Sequence, residues 1–148
     1  MKILINNLVT VFNNAKTAGR VHVNSVRKGI NNEPAQLTYG EFPYISFDDG
    51  GQKVDEIKSD TAIKRNFTVI IEMAVQVLNT EQALDNILDL TDEVKAELEL
   101  LSNKTLLYDG HVWAMQMNTF GWGDDQKFFR GVQILCEFWK LEDRYLDY

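Results

Sequence analysis

Cysteine and histidine are nearly missing from this 148-residue sequence, which holds only Cys136, His22 and His111. A single thiol excludes a disulfide within the chain and a cysteine-based zinc site. Two imidazoles leave little material for a metal cluster. Proline (2) and glycine (9) are scarce as well, which excludes collagen-like and low-complexity chains. No run approaches the roughly 18 apolar residues that a membrane-spanning helix needs. Basic residues are outnumbered, 15 against 22 acidic ones, for a net charge of −7. Such a balance argues against DNA or RNA as the main partner, because neutralising phosphates takes a basic surface.

What remains is the composition of one folded domain over residues 1–148, 45% hydrophobic and 25% charged. Its charge is unevenly placed. Residues 1–30 hold Lys2, Lys16, Arg20, Arg27 and Lys28 and no acid, so that +5 there leaves −12 for the rest. Such a division suits a protein that meets copies of itself, or a neighbour, through surfaces of opposite sign.

Met1 to Ile5 imitates a secretory signal, but Asn6, Asn7 and Asn13 to Lys16 interrupt the pattern. Leu4, Leu8, Val11, Phe12 and Ala15 instead fall on one face of a helix, which Gly19 ends. The chain is expected to be soluble and intracellular, so that the sequons at Asn66 and Asn103 carry no meaning. Arg20 to Val26 alternates weakly and predicts a short edge strand. Phe42 to Phe47 reads as a strand that Asp48-Asp49-Gly50-Gly51 terminates. Residues 48–64 follow as an expected mobile loop, the alternative being a strand pair with solvated tips.

Asn66 to Leu78 is the clearest strand. Phe67, Val69, Ile71, Met73, Val75 and Val77 alternate with Thr68, Ile70, Glu72, Ala74 and Gln76. Asn79 and Gln82 resemble a capping box that opens a helix. Its apolar stripe is Leu84, Ile87, Leu88, Thr91, Val94, Leu98 and Leu101, and Asn103 closes it. Val112 to Thr119 and Lys127 to Lys140 form a closing hairpin around Gly121 to Asp125. Phe128, Arg130, Val132, Ile134, Cys136 and Phe138 share one face of its second strand. The order predicts an α+β fold: an antiparallel or mixed sheet with two main helices packed on one face.

Catalytic material is thin. His111 with Asp109 could be drawn as an acid–base pair, and Asp48-Asp49 and Asp124-Asp125 are paired carboxylates. Both acid pairs sit beside glycines in turns, where Asp is a default residue. Cys136 lies mid-strand, where burial makes a thiol inert. Nothing supplies a nucleophile, a base and an electrophilic group together, so the chain is expected not to be an enzyme. The aromatic side chains gather in the final third. Trp122, at the expected hairpin tip, is the one hardest to place in a monomer core and is a candidate contact residue.

These stretches resemble a known family, the tail terminator and minor tail proteins of long-tailed bacteriophages, in the head-to-tail joining group. The likeness lies in the N-terminal amphipathic helix, the Phe42-Pro43-Tyr44-Ile45-Ser46-Phe47 strand and the charged segment after it. It continues in Arg65-Asn66-Phe67-Thr68-Val69, in the helix opening Ala83-Leu84-Asp85-Asn86-Ile87, and in a hairpin ending Phe138-Trp139. It covers residues 3–140, with weaker alternation over 20–41 than a paired strand would show.

The resemblance implies a structural virion protein and no cofactor, metal or catalytic residue. Such a subunit forms a ring, commonly a hexamer, on the head-proximal end of the tail tube, stops tube polymerisation and offers the head its docking surface. Its expected partners are itself, the tail tube protein and a head-completion or neck protein. No membrane and no specific nucleic acid are expected, although DNA can pass through the ring. The subunit or tube interface is expected to use Arg20, Arg27, Lys28, Asp48, Asp49, Lys53, Lys58, Lys64, Trp122, Asp124 and Asp125. A tail-completion or head-closure subunit is the alternative, and a small α+β enzyme or ligand-binding domain a further one.

Overall fold

A computed structural model describes residues 1–29, 42–52, 55–59, 61–77, 80–100, 103, 110–123 and 128–143; over 110–123 and at 52, 77, 80, 128, 129 and 143 the description is of the backbone. Helix α1 (Lys2–Thr17) buries Leu4, Leu8, Val11, Phe12 and Ala15, the residues whose spacing predicts it. Gly19 ends it at φ 77°, a left-handed conformation that favours glycine, and the Arg20 N–H then donates to the Ala15 carbonyl.

The strands are β1 (Ser25–Lys28), β2 (Tyr44–Gln52), β3 (Glu56–Ile57), β4 (Ala62–Val77), β5 (Gly110–Gly123) and β6 (Phe128–Asp143), with α2 (Thr80–Leu98) between β4 and β5. They make one sheet of order β1-β2-β4-β6-β5. Pairing is antiparallel except for β1 against β2, which is parallel, so the sheet is mixed and the fold is α+β. β4 is the spine. Along one edge it pairs with β6 over its whole length, from Ala62↔Asp143 to Val77↔Phe128. Its other edge is shared by β2 and the two-residue β3.

Helix α1 packs over β1 and β2, and α2 over β4 and β6. Both lie on the face of Ile45, Phe47, Val69, Ile71, Met73, Val132, Ile134 and Phe138, which form one buried cluster with the helical side chains. Each large side chain so buried contributes roughly 1.5–3 kcal/mol.

Several expectations need correction. The edge strand is Ser25–Lys28 rather than 20–26, although Val21 and Val23 are buried before it begins. The second strand does not stop at Asp48. It runs to Gln52 through a register shift between Asp49 and Gln52. Gly50 allows this: a Cβ there would lie 2.9 Å from Thr68 Cγ2 and 3.1 Å from the Thr68 carbonyl oxygen. Residues 48–64 are therefore not one loop. They hold the end of β2, β3 and the start of β4, and residues 53, 54 and 60 lie outside the description.

The stripe of α2 is also turned. Ala83, Ile87, Leu90, Thr91, Val94 and Leu98 are buried, whereas Leu84 and Leu88 are 38% and 43% exposed. The helix ends at Leu98, and Asn103 reaches back so that its Nδ2 donates to the Glu97 carbonyl at 2.9 Å. The expected N-cap Asn79 and the last residue of the expected stripe, Leu101, lie outside the described residues.

Candidate functional site

The basic N-terminal residues have separate employments. Arg20 turns inward to α2, donating from Nε to Glu97 Oε2 at 3.0 Å and from Nη2 to Oε1 at 3.1 Å. The Glu97 side chain is only 2% exposed. Burial by itself would raise its pKa, but hydrogen bonds from Arg20 and Asn103 and the guanidinium charge outweigh this and hold it below the ordinary 4.5. A carboxyl with a depressed folded pKa stabilises the fold fully above its unfolded value and loses that contribution as pH falls through the folded one. Glu97→Gln is therefore expected to lower the urea midpoint at pH 7, and the gap from wild type is expected to close towards pH 3. Equal gaps at both pH values would refute the assignment.

Arg27 and Lys28 lie in β1, at the opposite side of the sheet from β5. The Lys28 Nζ donates to Asn6 Oδ1 of α1, and the Lys16 Nζ to the Asn24 carbonyl at 2.9 Å. Both bonds fasten α1 to the β1 end of the sheet. The Arg27 guanidinium carbon stands 5.9 Å from the centre of the Tyr44 ring, and its buried Nη1 has no hydrogen-bond partner among the described residues.

Arg27 opens a polar row that pattern reading did not find. Cross-strand pairs align Arg27 with Ser46, Ser46 with Glu72, Glu72 with Gln133 and Gln133 with Asn118, one residue from each of β1, β2, β4, β6 and β5. Where side chains are described, the row lies on the face away from the helices. Glu72 is 1% exposed. It accepts from the Tyr44 hydroxyl at 2.5 Å and from Gln133 Nε2 at 2.7 Å. Burial first, then the hydrogen bond and charge of Glu72, push the Tyr44 phenol well above its ordinary pKa, so it remains a donor. The signal available in the sequence was a lone acid on the second face of β4, opposite no visible cation.

The remaining expected contact residues are scattered. Asp48 and Asp49 bond the local backbone of β2, Asp48 accepting from the Asp49 N–H at 2.7 Å and Asp49 from the Gly51 N–H at 2.8 Å. Lys58 and Lys64 flank Glu56 at 3.8 and 3.4 Å, and the Lys64 ammonium lies 4.9 Å from the Trp139 ring centre. Arg65 joins Asp55 at 2.9 Å and Glu142, which ties β4 to β6 and to the residue before β3. Trp122 belongs to β5, paired with Phe129, rather than to a hairpin tip. Lys53, Asp109, Asp124 and Asp125 lie outside the described residues.

His111 is in β5, separated from Asp48 and Asp49 in β2 by both β4 and β6, so those residues are not brought together. Cys136 is buried and its thiol is pushed up to about 12, chiefly by desolvation. An open cleft of about 250 Å³ does exist beside α2, with His22, Asp89 and Glu93 on its walls and Val75 and Leu90 beneath. There Glu93 accepts from the His22 N–H at 2.9 Å and contacts its ring Nδ1 at 2.6 Å. Among the described residues, no group of three His, Cys, Asp or Glu side chains is placed to hold a metal ion. No described helix is long and apolar enough to cross a membrane.

Compared with known proteins, the chain matches no family profile and no curated sequence.

Proposed function

We propose that this chain is a structural subunit that assembles with copies of itself, in the manner of the phage tail terminators that its sequence resembles. The observation that carries the proposal is the spatial division of charge. Arg27 and Lys28 form the short outer strand of the sheet, and Lys16 is bound beside it. The exposed acids Glu81, Asp85, Asp89 and Asp92 line the far helix, α2, and Glu99 follows its end. Opposite charges at separate places on one subunit favour head-to-tail contact and oppose contact between like surfaces. Head-to-tail contacts close into a ring where the rotation between neighbours returns to the first subunit. On this reading the ring caps the head-proximal end of a tail tube, halts its growth and receives the head. A tail-completion or head-closure role would use the same assembly with a different neighbour.

Sedimentation velocity of the purified chain, alone and with polymerising tube protein, tests the proposal. A discrete closed oligomer, commonly a hexamer, that stops tube growth is expected. A strict monomer at high concentration that leaves tube growth unchanged overturns it. An oligomer that binds head-neck complexes and ignores the tube would replace the terminator role with the neck role.

A further inference from the structure

The two ends of the sheet are built differently. β1 has four residues, two of them basic. β5 has fourteen, Gly110–Gly123, without one Asp, Glu, Lys, Arg or Pro. Among the described residues no strand pairs with the outer side of β5. Solvent-facing edge strands are normally kept short, charged or interrupted by proline, because a row of unpaired N–H and C=O groups invites another strand. β1 follows that rule; β5 carries neither charge nor proline, and its departure from a regular edge is the register shift between Ala114 and Asn118.

Two apolar side chains, Leu84 and Leu88, stand exposed on α2. On α2, Glu93 and Glu97 turn towards His22 and Arg20, on the side of α1 and β1. By the 3.6-residue period Leu84 and Leu88 occupy the opposite flank of the helix, towards β5. They are neighbours one turn apart, both substantially exposed. Glu81, Asp85 and Asp92 surround them and are exposed too. In sequence, β5 itself is bracketed by Asp109 and by Asp124-Asp125.

We infer that this end of the molecule, the outer edge of β5 with Leu84 and Leu88 of α2, receives the β1 end of a second copy of the chain. The inference rests on the assembly reading above and names the surface through which it occurs. The pairing of unlike ends follows from charge. Two β5 ends brought together would set Glu81, Asp85 and Asp92 against their own copies, whereas the β1 end brings Lys16 and Lys28 to them. Strand addition at β5 would extend the sheet from one subunit into the next, with main-chain hydrogen bonds supplying affinity and the two leucines supplying apolar contact. The contact is heterologous, as a ring requires.

Two variants of the full chain test it, each altering exposed residues at one end. Leu84→Asp/Leu88→Asp spoils the β5 end and leaves the β1 end intact; Lys16→Glu/Lys28→Glu does the reverse. Each alone is expected to need about ten-fold or more protein to assemble than wild type in sedimentation. Mixed, they are expected to form a 1:1 dimer and nothing larger, because only one competent contact remains. Leu141→Asp, at an exposed leucine of β6, is expected to assemble as wild type. Should the charged leucine pair fail to fold, Leu84→Ser/Leu88→Ser carries the same test; should the lysine pair, whose ammonium groups bond Asn24 and Asn6, fail to fold, Lys16→Gln/Lys28→Gln removes the charge and keeps a donor. Assembly of both variants at wild-type concentrations would overturn this surface and leave the assembly reading standing. A wild-type chain that never associates would overturn that reading itself.

Discussion

Phe47→Ala is expected to remove about 3–5 kcal/mol of unfolding free energy, the cost of truncating a fully buried phenylalanine. Phe47 lies in β2 with no exposed surface, between Lys28 of β1 and Ile71 of β4 in register. Its ring centre is 5.3 Å from that of Phe12, at an interplanar angle of 42°. The side chain thus joins α1 to the middle of the sheet, and its loss leaves a cavity that two layers must share. Against a typical total stability of about 5–15 kcal/mol, such a loss would bring the domain near its unfolding threshold. Urea denaturation followed by circular dichroism measures it, with an unchanged slope marking a true stability effect. Phe12→Ala and the double variant close a cycle, for which a coupling of about 0.5–1.5 kcal/mol is expected from the ring pair. Additive losses would remove the aromatic contact from the account.

The second large effect concerns Glu72. Tyr44→Phe removes one of its two described donors and leaves a nearly inaccessible carboxylate with Gln133 alone. Hydrogen bonds to charged groups contribute about 1.5–3 kcal/mol, and a loss of that size is expected. Gln133→Leu is expected to cost a similar amount. Adding Glu72→Met to the pair of substitutions should recover most of the combined loss, because an apolar group of similar length carries no charge to strand. A triple variant as unstable as the sum of its parts would mean that the row acts by packing instead. The recovery would also show that the polar row is not there for stability alone.

How much of this could be read beforehand differs by element. α1 and β4 are legible because one periodicity dominates each: Leu4, Leu8, Val11, Phe12 and Ala15 on the helix, Phe67 to Val75 on the strand. In α2 two stripes compete. Leu84 and Leu88 are as apolar as Ile87 and Leu90, and composition cannot choose between adjacent faces. The choice is made by Ala83, small enough for close approach, and by Glu97, which the core flank accepts because Arg20 arrives from across the chain. The extension of β2 through Gly50 and Gly51 was hidden because the same residues serve turns and bulges. Sign of charge alone marks the residues expected at a contact surface. Their partners within the subunit, Glu97 for Arg20 and Glu56 for Lys58 and Lys64, depend on pairings between distant segments. The mixed faces of β4 and β6 were legible, but the Tyr44–Glu72–Gln133 connection needs the register of three strands.

That register has a kinetic consequence. Each residue of β4 finds its β6 partner only beyond the whole of α2 and β5. As the chain leaves the ribosome, β4 can gain β2 early, but its second edge stays bare until the last strand has emerged. Long-range pairing of this kind slows folding, and a bare apolar strand edge is open to foreign strands meanwhile. Yield in the cell should therefore follow how soon β6 docks, so that a substitution in β6 can deplete the protein through aggregation of nascent chains even where the finished fold tolerates it.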